Sequence, residues 1–228
     1  WDAAMALSGV DRVVVATEDG RIRAEAEAGG AEVVMTSPEA RNGSERCAEA
    51  HAALGGGYEI VVNLQGDAPL TPPWFVEPLI DALRRDAAAD LATPVLRCDG
   101  AALAALRAER AAGRVGGTTA VFGADHGALY FSKEIVPFVE GTPEAAAATP
   151  VFHHVGVYAW RAEALAAYPG LAEGPLERLE GLEQLRVLEA GRRILCVEVA
   201  ARGRPFWEVN NPGDVAVVEA ALARLGLP

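Results

Sequence analysis

Short β-branched runs alternate with helix-favouring segments along the first ninety residues, and this alternation constrains the fold more than any other feature. DRVVVAT (Asp11 to Thr17) is followed by EDGRIRAEAEAGG, AEVVM (Ala31 to Met35) by SERCAEAHAALGGG (Ser44 to Gly57), and YEIVVNL by WFVEPLIDALRRD. Gly29-Gly30 and the three glycines before Tyr58 end the first two helical segments, and Ser44 is the expected N-cap of the second. Strands and helices at this spacing predict a parallel sheet covered on both faces. Ligands of such sheets bind beyond the carboxyl ends of the strands. The strand ends are therefore where chemistry is to be sought.

With 228 residues, 51% of them hydrophobic, the chain can bury the core of one domain. No apolar run is long enough to cross a bilayer. The net charge of −12 and the lack of a basic patch argue against a nucleic-acid partner; Arg192-Arg193 with Arg202 and Arg204 do not amount to one. Cys47, Cys98 and Cys196 are isolated, which argues against a zinc site or a disulfide framework and fits reduced thiols in a cytoplasm.

Beyond Asp90 the rhythm changes. DLATPVLRC reads as a strand, Ala101 to Ala112 as a helix, and GGTTAVFGADHGALYFSK as two strands joined by a turn at Gly123 to Gly127. Thr142 to Thr149 reads as a loop or short helix, and VFHHVGVYAWR (Val151 to Arg161) as one strand. PLERLEGLEQLRVLEAG carries leucines at helical spacing; RRILCVEVA is a strand and NPGDVAVVEAALARLG a closing helix.

Three segments carry candidate chemistry. A buried strand, with Asn63 its only polar interruption, ends on Gln65-Gly66-Asp67. Asp67 there either satisfies backbone donors in a turn or holds Mg²⁺ against phosphates, since a hard cation takes carboxylate oxygen. MTSPEARNGSERCAEA (Met35 to Ala50) runs from a strand end through a polar loop into a helix, where free N–H groups can meet a base or phosphate. Arg46 sits in that helix's first turn, against the dipole, which predicts an acidic partner. In WEVNNPGDV, Asn211 is the expected cap of the last helix, with Pro212 at its first position. That leaves Asn210 free as an oxygen ligand.

Taken together, MTSPEARNGSER, VVNLQGDAPLTPP, GALYFSK, HHVGVYAWR and PLERLEGLEQLRVLEAG resemble, in the same order, segments of 3-deoxy-manno-octulosonate (Kdo) cytidylyltransferases. The resemblance runs from about Ser8 to Ala221. It implies a single α/β domain of the three-layer nucleotide-diphospho-sugar transferase fold with a mostly parallel central sheet. It also implies a cytoplasmic homodimer, without membrane or nucleic-acid partners, that uses CTP, Mg²⁺ and a sugar acid such as Kdo. Asp67 matches the family's metal-binding aspartate, and Asn210 stands where the second is expected, so both are candidate metal and catalytic residues. Thr36, Gly43, Ser44, Arg46 and Gln65 fall in the nucleotide-binding segments. His154 and Tyr158 match the sugar-facing strand, and Glu183 and Gln184 the helix that closes over the sugar acid.

The chain departs from the family pattern at several points. Ala68 replaces a glutamate after Asp67, Asn210 replaces an aspartate, and Thr119 stands in place of a lysine. The family's opening strand and its basic, glycine-containing triphosphate loop have no counterpart in residues 1–228, and WDAAMALSG reads as the tail of a helix; the expectation is that they lie upstream of Trp1. Two alternatives stay open: a nucleotidyltransferase of the same superfamily with another donor or acceptor, such as a sugar 1-phosphate, and a non-catalytic nucleotide-binding homologue.

Overall fold

A computed structural model describes residues 1–115, 117–204, 209 and 212–226. After a four-residue helix, α1 (Asp2–Met5), the first alternating unit forms as the sequence predicts. Strand β1 (Val14–Thr17), helix α2 (Gly20–Ala28) and strand β2 (Glu32–Met35) make a crossover in which Val14 pairs with Glu32 and Thr17 with Met35, in parallel. Helix α3 (Gly43–Ala53) follows, then β3 (Ile60–Leu64) and α4 (Pro73–Arg85). The cap of α3 is Asn42, not Ser44: the Asn42 side chain accepts from the Glu45 N–H at 2.9 Å. Ser44 is buried in the first turn instead.

The remaining elements are β4 (Leu91–Asp99), α5 (Gly100–Ala111), β5 (Thr118–Phe122), β6 (Ala128–Ser132), β7 (Ala148–His154), β8 (Val157–Arg161), α6 (Ala162–Ala167), α7 (Pro175–Glu180), α8 (Leu185–Glu189), β9 (Ile194–Val199) and α9 (Asp214–Leu225). Seven strands form the main sheet in the order β3-β8-β4-β7-β5-β6, with β9 on the other edge of β4. Among the described residues only the β4–β9 pair is parallel; the other pairs of this sheet are antiparallel. The expected mostly parallel sheet is thus corrected. Alternation along the chain sets the direction of a strand relative to the next one in sequence, as in β1 and β2. β7 and β8, from residues 148–161, however, insert beside β3 and β4 and run the opposite way.

The segment read as one strand, VFHHVGVYAWR, is two. Along one edge of β4, Leu91 and Ala92 pair with β8, whereas Val95 to Asp99 pair with β7. The break falls at Val155-Gly156. The leucine-spaced segment also breaks, because Gly181 adopts a left-handed conformation (φ +62°) that ends α7. Glu183 and Gln184 consequently lie in the turn before α8 rather than within a helix. Pro212 precedes α9, which starts at Asp214; Asn211 lies outside the described residues.

Helices cover both faces of the main sheet, as expected. Alternate residues of a strand face opposite sides. Leu91, Val95, Tyr158 and Trp160 pack with Ala48 of α3, Leu165 of α6 and Leu185 of α8. Ala92, Val157 and Ala159 pack with Phe75, Leu79 and Leu83 of α4. On the far side of α3, β1 does not pair with β3, and a cavity of about 710 Å³ lies between them.

Candidate active site

Asn63 and Gln65, at the end of β3, meet the start of α3. A Cβ built on Gly43 lies 2.9 Å from Asn63 Nδ2 and 3.2 Å from Gln65 Nε2, so any larger residue would displace these amides. Immediately beyond, the Glu183 carboxylate spans two segments. It accepts from the Ser44 N–H at 3.0 Å and from Gln65 Nε2 at 3.0 Å. Burial pushes the Glu183 carboxyl above its ordinary range, against the pull of those donors. Two residues expected near the nucleotide, Ser44 and Gln65, and one expected near the sugar, Glu183, therefore converge at hydrogen-bonding distance.

Gly43, Arg46, Gln65 and Asp67 line the cavity between β1 and β3. Arg46 has the acidic partner its position predicts: Nη1 lies 2.5 Å from Glu18 and donates to Thr36 Oγ1 at 2.7 Å. Thr36 is thereby fixed at the rim. Asp67 is half-buried, and desolvation raises its carboxyl above the ordinary value. Its backbone carbonyl accepts from the Val209 N–H at 2.7 Å, but no side-chain donor meets its carboxylate among the described residues. A half-buried carboxylate with no cationic partner fits a hard cation, and Mg²⁺ is commonly held by one or two carboxylates together with phosphate oxygens. Asn210, the second metal-ligand candidate, lies outside the described residues. No group of three or more His, Cys, Asp or Glu side chains that could hold a metal occurs among the described residues.

The sugar-facing candidates form a neutral cluster. Asn63 and Tyr158 are register partners on β3 and β8, and the Tyr158 hydroxyl donates to Gln184 Oε1 at 3.1 Å. The ring centroids of His154 and Tyr158 are 5.8 Å apart, and those of His154 and Phe131 4.9 Å apart in a T-shaped arrangement. Burial, aided by His153, lowers the His154 pKa to about 3, so the imidazole is neutral at physiological pH. Two side-chain amides here, Asn63 Nδ2 and Gln184 Nε2, are buried without a hydrogen-bond partner. Orphaned buried donors are uncommon in proteins, and a polar ligand would satisfy them. Thr119 plays no such part. Its hydroxyl donates to the Glu134 carbonyl at 2.7 Å and accepts from the Val136 N–H at 3.2 Å, so its capacity is used within the fold.

What sequence reasoning missed is the support behind these groups. Arg186, 1% exposed, donates to both Glu177 oxygens (2.7 and 2.6 Å) and to Glu45 at 2.8 Å. Its guanidinium also lies 4.6 Å from the Tyr168 ring centroid. Tyr168 accepts from Asn42 Nδ2 at 3.0 Å and donates to the Glu183 carbonyl at 3.1 Å. The start of α3 and the Glu183 turn are thus anchored to one buried cation. Residue type gave no signal, since Arg186 is one of several charges, with Glu177, Arg178, Glu180, Glu183 and Glu189, among the leucines of this segment.

Comparison with known proteins accords with this arrangement. A family model described as cytidylyltransferase matches residues 2–194. The 3-deoxy-manno-octulosonate cytidylyltransferase of Maricaulis maris (strain MCS10) is 43% identical over 226 residues, covering 99% of this chain and 86% of that protein. The 8-amino-3,8-dideoxy-manno-octulosonate cytidylyltransferase of Shewanella pealeana is 36% identical, covering 97% of this chain and 85% of that protein. Among solved structures, a CMP:2-keto-3-deoxy-manno-octonic acid synthetase complexed with CTP superposes with a TM-score of 0.82 at 31% identity, over 98% of this chain and 86% of that one. A 4-diphosphocytidyl-2C-methyl-D-erythritol synthase from Anaerococcus prevotii shares the fold alone, with a TM-score of 0.59 at 14% identity. On sequence and on architecture alike, the chain belongs to the cytidylyltransferase family.

Proposed function

We propose that this protein transfers the cytidylyl group of CTP to the anomeric hydroxyl of Kdo or a closely similar ulosonate, releasing pyrophosphate. The observation that carries the reading is Glu183, whose carboxylate joins the nucleotide-side groups Ser44 and Gln65 to the turn that bears Gln184. A site where both substrates must meet needs such a junction.

In this reading the loop before α3 and its first turn, with Thr36, Gly43, Ser44, Arg46 and Gln65, receive the nucleotide, while His154, Tyr158 and Gln184 orient the sugar acid. The anomeric oxygen forms its bond to the α-phosphorus as the bond to pyrophosphate breaks. No covalent enzyme intermediate is required, and catalysis is positioning with electrostatic stabilisation. Asp67, with Asn210 as a second oxygen ligand, would hold Mg²⁺, which when bound neutralises charge on the phosphates and the leaving group.

The reading also takes the protein as a cytoplasmic homodimer. Free thiols at Cys47, Cys98 and Cys196 support a reducing compartment, and no helix among the described residues is long and apolar enough to cross a membrane. Exposed Leu129 on the edge strand β6 and Leu179 on α7 offer apolar surface to a second copy.

Pyrophosphate release, measured with four nucleoside triphosphates against Kdo, 8-amino-3,8-dideoxy-manno-octulosonate and a sugar 1-phosphate, tests the assignment. CTP with a ulosonate should be preferred; a preference for UTP or GTP overturns it. Asp67→Ala should lower turnover about 10²–10³-fold with the fold intact, as removal of one transition-state electrostatic group does. Retention of most activity would remove Asp67 from the mechanism.

A further inference from the structure

We infer that Thr93 is a positioning residue that fixes His154 in the Nε2-protonated tautomer and so presents the Nδ1 lone pair to a hydroxyl of the sugar acid. The inference rests on the reading of His154 as sugar-facing.

Thr93 sits on β4, fully buried, opposite the break between β7 and β8. Its Oγ1 lies 2.9 Å from His154 Nε2, 2.8 Å from the Val157 carbonyl oxygen and 3.2 Å from the Val155 carbonyl oxygen. A hydroxyl has one hydrogen, and carbonyl oxygens only accept. If that hydrogen went to His154, Oγ1 would face two carbonyl oxygens with no proton between them, in a site closed to water. Such a buried, unmatched contact is disfavoured. The hydroxyl therefore donates to a carbonyl, with Val157 the shorter contact, and accepts from His154 Nε2–H.

A neutral imidazole carries one ring proton, so Nδ1 is left as an acceptor. It has no hydrogen-bond partner among the described residues. An uncharged ring offering a lone pair repels a carboxylate and suits a hydroxyl donor. Close by, Gln184 accepts from Tyr158 through Oε1 and keeps Nε2 unpartnered. One lone-pair acceptor and one amide donor together match a polyhydroxylated chain better than an isolated anion.

The test combines a spectroscopic arm with a kinetic one. Imidazole ¹⁵N spectra of histidine-labelled protein, with His154 assigned by loss of its signals in His154→Gln, should show Nε2 protonated and Nδ1 bare. Thr93→Val removes the hydroxyl at nearly constant shape. It should give a mixed tautomer signature and raise KM for the sugar acid about 10-fold, while KM for CTP stays within about twofold. Thr93→Ser should restore both readouts. A protonated Nδ1 in the unmodified protein overturns the inference, and that spectrum decides the point even if Thr93→Val fails to fold. An unchanged sugar-acid KM in a folded Thr93→Val protein also overturns it. Absence of cytidylyl transfer by the unmodified protein would instead count against the proposed function, leaving the ¹⁵N result to stand separately.

Discussion

Around α3 the candidate site is tied together by ions, with Arg46 between Glu18 and Thr36, and Arg186 between Glu45 and Glu177. Around β7 and β8 it is tied together by neutral groups, Thr93 with His154 and Tyr158 with Gln184. The first region joins helices and strand ends outside the main sheet, where strong, directional pairs fix pieces of chain that the main ladder does not hold. The second lies on strands already held by backbone pairing, and neutral hydrogen bonds suffice to set side-chain orientation. Loss of a partner should then act differently in the two places. In the ionic region it strands a buried charge and lowers stability, whereas in the neutral region it alters recognition more than folding.

The largest effect should come from Arg186→Met. It leaves Glu177, a buried carboxylate, without its bidentate partner, and removing one member of a buried pair costs about 3–5 kcal/mol. Urea unfolding monitored by fluorescence would measure it. A loss below about 1 kcal/mol would erase the distinction between the two regions.

Glu45 gives that distinction a pH signature. Burial works to raise its carboxyl, but hydrogen bonds from Arg41 and Arg186 prevail and bring it from 4.5 down to about 2. Between those values the folded chain binds fewer protons than the unfolded one, so the contribution is complete above pH 4.5 and drains away as pH falls toward 2. Glu45→Gln should be less stable than the unmodified protein by on the order of 2 kcal/mol at neutral pH. That gap should narrow on acidification through the same window. A gap independent of pH would sink the account of Glu45 as an ion-paired anchor.

How much of this was legible in the sequence follows from what is local. The β1–α2–β2 crossover, the strand ending on Gln65-Gly66-Asp67 and the acidic partner of Arg46 were readable because each depends on neighbouring residues or on one helix end. The antiparallel pairing of β3 and β4 was not, since it is decided by a segment some fifty to one hundred residues further on. The α7–α8 break was masked by five leucines at helical spacing, and a left-handed Gly181 overrode them. Asn42 displaced Ser44 as the cap because its side chain reaches the Glu45 N–H from outside the first turn. The Arg186 network and the Thr93 contact each join residues distant in sequence, and nothing in residue type alone pairs them.

Gly43 is where the ionic and neutral regions touch, and it supplies the smallest but most discriminating test. A methyl group there meets Asn63 Nδ2 at 2.9 Å and Gln65 Nε2 at 3.2 Å. Moving the Asn63 amide breaks no hydrogen bond, because Nδ2 has no partner; moving Gln65 breaks its 3.0 Å bond to Glu183. Asn63 should therefore yield first, and Gly43→Ala should cost only about 1 kcal/mol of stability. The displaced amide is flanked by Tyr158 across the β3–β8 ladder, while the new methyl group lines the same cavity as Gln65 and Asp67. Affinity for CTP and KM for the sugar acid should both worsen, each by about 3–10-fold, as small steric displacements in a preformed site do. Calorimetric CTP titration and steady-state kinetics of the folded variant separate the outcomes. Worsening of one substrate alone would mean that the two regions are independent at Gly43, and undiminished binding of both would remove this junction from the site.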